Sequence, residues 1–188
     1  MNPRGLGSVA AVRDITTTRA PITLVLGGTR SGKSRTAEQL AADLGGPRPL
    51  TYVATARVDA TDADHVARID AHRARRPAGW ITVECPDPLT LPGHLAAIDG
   101  PVLLDSLGTW IASHPDLAVD TDALVAALTA RDHPTIVVSE ELGWSLHAPT
   151  EVGRRFVDAV GLLNQAVAAA ADRVLLVVAG RVLELPPC

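Results

Sequence analysis

The stretch that decides the fold is Ile22-Thr23-Leu24-Val25-Leu26-Gly27-Gly28-Thr29-Arg30-Ser31-Gly32-Lys33-Ser34. Five apolar or β-branched residues run into a glycine-rich turn, and helix-period sequence follows. The turn has the form G-x-x-x-x-G-K-S in the setting that form requires, with a strand before it and a helix after it. Gly27 and Gly32 let the chain curl so that the amides of Gly28, Thr29, Arg30 and Ser31 point inward at phosphate oxygens. The helix opening at Lys33 adds the positive end of its dipole. Lys33 is expected to reach the β- and γ-phosphates, and the Ser34 hydroxyl to bind Mg²⁺. Lys33 is also the single lysine among the 17 basic residues, every other one being arginine. A compact ammonium has been kept at the one position where this chemistry calls for it.

A phosphate loop of this kind needs an acid at the end of another buried strand. Val102-Leu103-Leu104-Asp105 supplies one. Asp105 follows three branched apolar residues and is expected to be the second Mg²⁺ ligand.

Around these two segments the chain alternates short apolar runs with Ala-rich stretches of helical period. The runs are Ile22–Leu26, Leu50–Ala54, Ile81–Glu84, Val102–Asp105, Thr135–Ser139 and Val174–Ala179. Their composition suits strands buried on both faces. Val182–Leu185 reads as an antiparallel edge strand. Helices are expected over Gly32–Leu44, Asp62–Arg76, Pro88–Ile98, Asp120–Ala130 and Thr150–Ala171, with Gly45-Gly46-Pro47 and Pro77 as stops. This alternation predicts an α/β domain: a mostly parallel sheet with helices on both faces. Residues 1–20 lack a periodic apolar pattern and read as a flexible extension. Residues 21–188 read as a single nucleotide-binding domain.

Bulk composition narrows the class of function. The chain has 188 residues, 47% of them hydrophobic and 20% charged, with a net charge of −4. That is ordinary globular usage, with no general basic field for nucleic acid. No apolar run approaches the ~20 residues that span a bilayer. Cys85 and Cys188 are too few for a disulfide framework, and with no visible secretion signal a cytoplasmic setting is expected.

A second chemical segment follows Ala54-Thr55-Ala56-Arg57. His65, Arg68, His72 and Arg76 recur at helical spacing and share one basic, imidazole-bearing face. By itself such a face reads as a solvated surface. Beside a phosphate loop, arginines can hold phosphates and a histidine can attack phosphorus. No third ligand stands at a spacing suited to zinc.

Here the chain resembles a known family. The residues Leu26 to Arg35, Tyr52-Val53-Ala54-Thr55-Ala56, Arg68-Ile69 with His72, Arg76-Pro77 and Trp80 are similar to the bifunctional adenosylcobinamide kinase/adenosylcobinamide-phosphate guanylyltransferases of cobalamin biosynthesis. Leu163-Asn164-Gln165, Ala168–Asp172 and Val177–Gly180 extend the resemblance over about residues 22–180. It implies a RecA-like P-loop NTPase sheet, a homotrimer, and two reactions. ATP or GTP phosphorylates the aminopropanol hydroxyl of adenosylcobinamide. GMP is then carried from GTP on a histidine to adenosylcobinamide phosphate, giving adenosylcobinamide-GDP. The family's nucleophilic histidine falls on His72, with Arg68 and Arg76 as nucleotide-binding neighbours.

The chain departs from the family at two places. Some members carry adjacent histidines where this chain has Ala71-His72. Relatives tend to read Ser-Asn-Glu-Val-Gly and then Gly-x-x-Pro, where this chain reads Ser139-Glu140-Glu141-Leu142-Gly143 and then Trp144 to Pro149. Two other classes fit the phosphate loop: a different small-molecule P-loop kinase and a regulatory GTP-binding protein. Neither needs the Arg68–His72–Arg76 face. Trp80, Trp110 and Trp144 are expected to be packed in the interior, and His94, His114 and His133, beside turn residues, to be surface groups.

Overall fold

A computed structural model describes residues 19–44, 46–56, 67, 73–74, 76–85, 87–144 and 148–187. Its strands are β1 (Ile22–Gly27), β2 (Thr51–Ala54), β3 (Ile81–Glu84), β4 (Val102–Asp105), β5 (Thr135–Glu140), β6 (Arg173–Val178) and β7 (Arg181–Leu185). The described helices are α1 (Lys33–Asp43), α2 (Leu91–Ala97), α3 (Leu107–Ala112), α4 (Thr121–Thr129) and α5 (Glu151–Ala170). A 3₁₀ turn, Pro88–Thr90, leads into α2, so the expected helix from Pro88 is shorter than its sequence pattern. The expected helix over Asp62–Arg76 falls almost wholly outside the described residues.

The strands form one seven-stranded sheet in the order β3-β2-β4-β5-β1-β6-β7. All pairings are parallel except the last, where β7 turns back along β6. Side chains alternate across the sheet, so each strand feeds two cores. Leu24, Leu26, Val53, Leu104 and Val137 face a cluster with Leu95, Trp110, Leu124, Leu128, Leu163 and Val167 from α2 to α5. Val25, Tyr52, Leu103, Ile136 and Val177 face the other side, where α1 packs with Ala37 and Ala41. Those small contact residues let α1 lie close to the sheet, which anchors the loop just before it.

The outer strands depart from the expectation of burial on both faces. Among the described residues β3 has β2 as its only strand neighbour, and Ile81 is 49% exposed. Burial on both faces holds for the inner strands, whose central residues are fully enclosed.

Local chemistry sets the element ends. Ser106 caps α3 by accepting from Thr109 N, and Thr109 Oγ1 accepts from Ser106 N in return, a capping box. Asp120 and Thr150 cap α4 and α5 by accepting from the amides of Ala123 and Gly153. Arg131, 6% exposed, donates to the carbonyls of Leu95, Ile98 and Gly100 and to Thr135 Oγ1. This buried guanidinium ties the turn after α2 to the start of β5. Burial lowers its pKa from the usual arginine value. At the start of the sheet Arg19 pairs with Asp172, whose carboxylate also accepts from Ile22 N. Residues 1–18 of the expected extension lie outside the described residues.

Candidate nucleotide-binding site

The strand order brings the chemistry to one edge. β5 lies between β1 and β4, and all three are parallel, so their carboxyl ends open on the same side. In register, Gly27 stands opposite Glu140, and Asp105 opposite Val138. Ligands of open α/β sheets bind outside such strand ends.

The loop from Gly27 to Lys33 is shaped by close approach and by backbone sign. A Cβ on Gly27 would fall 2.4 Å from Ser31 Oγ and 2.7 Å from the Val177 carbonyl. Gly32, the residue before α1, has φ 98°, a left-handed value that glycine adopts without strain. The loop is braced by Ser31 N donating to Gly28 O at 3.2 Å and by Gly180 N donating to Ser31 O at 2.8 Å. Lys33 N donates to Ser31 Oγ at 3.3 Å. Thr29 and Arg30 are exposed on the outer side of the loop, and Ser34 follows Lys33 in the first turn of α1.

Lys33 Nζ lies 3.5 Å from the carbonyl of Gly28, to which it donates, and 3.8 Å from Glu140 Oε1. Glu140 is in turn held from the far side. Ser106 Oγ donates to its Oε1 and Gly108 N to its Oε2, each at 2.9 Å. Its carbonyl accepts from Asn164 Nδ2 of α5 at 2.9 Å, and the next amide, Glu141 N, donates to Gly27 O at 3.1 Å.

Asp105 sits one strand further on. Its Oδ2 accepts from the Tyr52 hydroxyl at 2.7 Å. The Tyr52 ring carries the Arg76 guanidinium over its face at 3.5 Å from the ring centre. Arg76 also donates to Thr82 Oγ1 at 3.1 Å. Burial pushes the Tyr52 phenol well above its ordinary pKa, and the charge of Asp105 and its hydrogen bond push the same way, against the opposing effect of Arg76. On the other face of the sheet, away from Tyr52, a cleft of about 690 Å³ is bounded by Leu142 and Gly143 after β5, Val157 and Gln165 of α5, and Leu185 of β7.

The residues expected from sequence divide as follows. Gly27 to Ser34, Asp105 and Arg76 converge on this edge of the sheet. Arg68 and His72 lie outside the described residues, as does His65. Three residues of the cluster carry signals that sequence reading did not use as site signals. Glu140 stood out only as a departure from the family, Tyr52 only as part of a motif, and Gly108 not at all. A charged residue ending the apolar run of β5 was the available signal, but its meaning depends on β5 lying next to β1.

Two expectations about aromatic residues and histidines are corrected. Trp110 is buried, with Nε1 donating to Pro88 O at 2.7 Å, and Trp80 is half-buried, but Trp144 is 71% exposed. It lies in the loop beyond β5, outside both cores. His114 is 6% exposed rather than on the surface. Just beyond α3, its ring turns back edge-on to Trp110, with Nδ1 2.9 Å from the Trp110 carbonyl.

A strand, a glycine-rich loop shaped by the close approach at Gly27 and the left-handed Gly32, a lysine and an acid ending a nearby parallel strand define the P-loop NTPase class. The fold agrees: the flagellar accessory protein FlaH from Methanocaldococcus jannaschii superposes with a TM-score of 0.51 at 14% identity, over 87% of this chain and 75% of that one. Within the class, the family described as cobinamide kinase / cobinamide phosphate guanyltransferase matches residues 23–185, and the chain belongs to that enzyme family. It is 41% identical over 166 residues to the bifunctional adenosylcobalamin biosynthesis protein CobP of Pseudomonas aeruginosa, covering 84% of this chain and 92% of the relative. It is 36% identical over 177 residues to the bifunctional adenosylcobalamin biosynthesis protein CobU of Salmonella typhimurium, covering 84% and 95%. Among the described residues no helix is long and apolar enough to cross a membrane.

Proposed function

We propose that the chain phosphorylates adenosylcobinamide with ATP or GTP and then converts adenosylcobinamide phosphate to adenosylcobinamide-GDP by way of a guanylylated His72. The observation that carries this reading is the pairing of Lys33, at the start of α1, with Glu140 at the end of β5, next to the strand that ends at Asp105, in a member of this family.

In the kinase step the amides of Gly28, Thr29, Arg30 and Gly32 cradle the phosphates, and Lys33 neutralises charge on the β- and γ-oxygens. Lys33 must leave the Gly28 carbonyl to do so, an exchange of one weak, 3.5 Å contact for charged partners. Ser34 and Asp105 offer a hydroxyl and a carboxylate, hard oxygen donors that fit Mg²⁺. When bound, the ion supplies charge neutralisation at the phosphates. Tyr52 fixes the Asp105 carboxylate by its hydrogen bond at 2.7 Å.

In the guanylyl step a neutral imidazole nitrogen of His72 attacks the α-phosphorus of GTP. The bond from that phosphorus to the α–β bridging oxygen breaks, and pyrophosphate leaves with the electron pair. A phosphate oxygen of adenosylcobinamide phosphate then attacks the same phosphorus and frees the histidine. Arg68 and Arg76 stabilise charge on the α-phosphate. Arg76 stacks on the tyrosine that holds Asp105, which supports a role for this arginine beside the acid of the kinase step. The active assembly in this reading is a homotrimer working in the cytoplasm.

The test is incubation with GTP labelled on the α-phosphate in the presence of Mg²⁺. The protein becomes labelled, acid strips the label while base leaves it, and His72→Ala abolishes it while keeping at least part of the kinase activity. Full labelling of the His72→Ala variant moves the nucleophile elsewhere, with His65 next in line. A wild-type chain that never takes label is a simple kinase.

A further inference from the structure

We propose that Glu140 is the proton acceptor for the attacking hydroxyl in the phosphoryl-transfer step. The inference rests on the kinase reading above and adds to it a residue and a role.

The position follows from the topology. Glu140 ends the strand inserted between the phosphate-loop strand and the acid strand, opposite Gly27 in register. Its Oε1 is 3.8 Å from Lys33 Nζ, the group that contacts the γ-phosphate in a loop of this type. A hydroxyl in line to attack that phosphorus comes within reach of this carboxylate, since reacting atoms approach to about 3–3.5 Å.

The carboxylate is also held in place, with its side chain 21% exposed. Ser106 Oγ and Gly108 N both donate to it at 2.9 Å. Its partners among the described residues, Lys33, Ser106 and Gly108, are all donors, so it faces the loop as an acceptor. Gly108 is required for this seat, because a Cβ there would fall 2.0 Å from Glu140 Oε2. The other acids at this edge are committed differently. Asp105 holds the Tyr52 hydroxyl at 2.7 Å, and Glu141 turns its Oε1 onto Gly143 N at 2.8 Å.

The step balances without a further reactant. The hydroxyl oxygen forms a bond to the γ-phosphorus. The bond from that phosphorus to the β–γ bridging oxygen breaks, and the nucleoside diphosphate leaves with the electron pair. The hydroxyl proton passes to Glu140 Oε1 and from there to water. In a loose transition state the hydroxyl becomes acidic only as the new bond forms, so a carboxylate is basic enough to accept its proton.

The experiment compares wild type, Glu140→Gln and Glu140's neighbour variant Gly108→Ala. Glutamine can keep the seat, its carbonyl accepting from Gly108 N and its amide donating to Ser106 Oγ. Gly108→Ala displaces the carboxylate and leaves the phosphate loop intact. Phosphate transfer from ATP to adenosylcobinamide is measured beside calorimetric binding of a non-hydrolysable ATP analogue and thermal melting. The expected result is a kcat at least ~100-fold lower in both variants, as for loss of a general base, with analogue affinity within about threefold of wild type. If one variant does not fold, the other decides. A folded variant with wild-type kcat overturns the inference. So does a folded variant whose loss lies in nucleotide binding alone, which would make Glu140 a holder of Lys33. Wild-type protein that transfers no phosphate to adenosylcobinamide overturns the kinase reading and the inference with it, whereas an active wild type with an equally active variant overturns the inference alone.

Discussion

Tyr52 donates its hydroxyl to Asp105 Oδ2 at 2.7 Å, linking the second strand of the sheet to the acid at the end of the fourth. The same ring lies under the Arg76 guanidinium. One buried phenol therefore joins the segment that carries His72 in sequence to the acid that ends β4.

Tyr52 is the only tyrosine in the chain, so its titration can be read without ambiguity. Burial and the Asp105 charge raise its pKa above the ordinary value, which means that the folded chain keeps a proton the unfolded chain releases above pH ~10. The stability this represents is present below that pH and is lost as pH rises beyond it. Native protein at about pH 11 should show no tyrosinate absorbance, and the band should emerge together with unfolding. Tyrosinate appearing near pH 10 while the fold is intact would show an accessible hydroxyl. Tyr52→Phe should melt at a lower temperature than wild type at neutral pH and lose the tyrosinate band.

Lys33→Ala should abolish phosphoryl transfer. The loop amides remain, but the charge on the β- and γ-phosphates goes, and each tenfold loss in rate corresponds to ~1.4 kcal/mol of transition-state stabilisation. Lys33→Arg should also fail, because the planar guanidinium is bulkier and directed differently in a loop that closes on the ammonium. Normal transfer by Lys33→Ala, measured with γ-labelled ATP, would remove the phosphate loop from the reaction, and normal transfer by Lys33→Arg would show that charge alone suffices there.

Asp105→Asn should raise the Mg²⁺ concentration needed for half-maximal activity, since a neutral amide is a poorer ligand for a hard cation than a carboxylate. The amide also gives Tyr52 a weaker acceptor, so a small drop in melting temperature should accompany it. A Mg²⁺ titration that matches wild type would make Asp105 a structural partner of Tyr52 rather than a metal ligand.

Arg131→Ala tests architecture away from the site. It leaves the carbonyls of Leu95, Ile98 and Gly100 without their donor in a buried setting. The expected cost is about 3 kcal/mol, or roughly 6–12 °C in melting temperature for a chain of this size. Folded protein should still bind nucleotide at low temperature. An unchanged melt would mean that water replaces the guanidinium without loss.

Much of this was legible in the chain because the signals are local. The bounds of β1, β3 and β4 follow apolar runs that end at Gly27, Glu84 and Asp105. The antiparallel edge of β7 follows from Ala179-Gly180, a turn too short for a crossover, with both residues at positive φ. Helix α3 was missed: Leu107–Ala112 is too short for a period to show, and what stabilises it is the Ser106–Thr109 capping box together with burial of Trp110 and Ile111. The surface expectation for His114 failed for a related reason. A turn residue beside Pro115 reads as exposed until Trp110 is known to lie beneath it.

The sequence by itself determined the phosphate loop, the candidate acid Asp105, the α/β class and the family, because each depends on residues close together in the chain or on their spacing. Tertiary structure alone decided what stands opposite what. Glu140 and Lys33 are separated by more than a hundred residues, and nothing local distinguishes Glu140 from any charged residue that ends a strand. Only the insertion of β5 between β1 and β4 brings its carboxylate to 3.8 Å from the ammonium and seats it on Ser106 and Gly108. Strand order is set by how helices of different lengths and faces cover the sheet, a property of the packed whole that no single segment encodes.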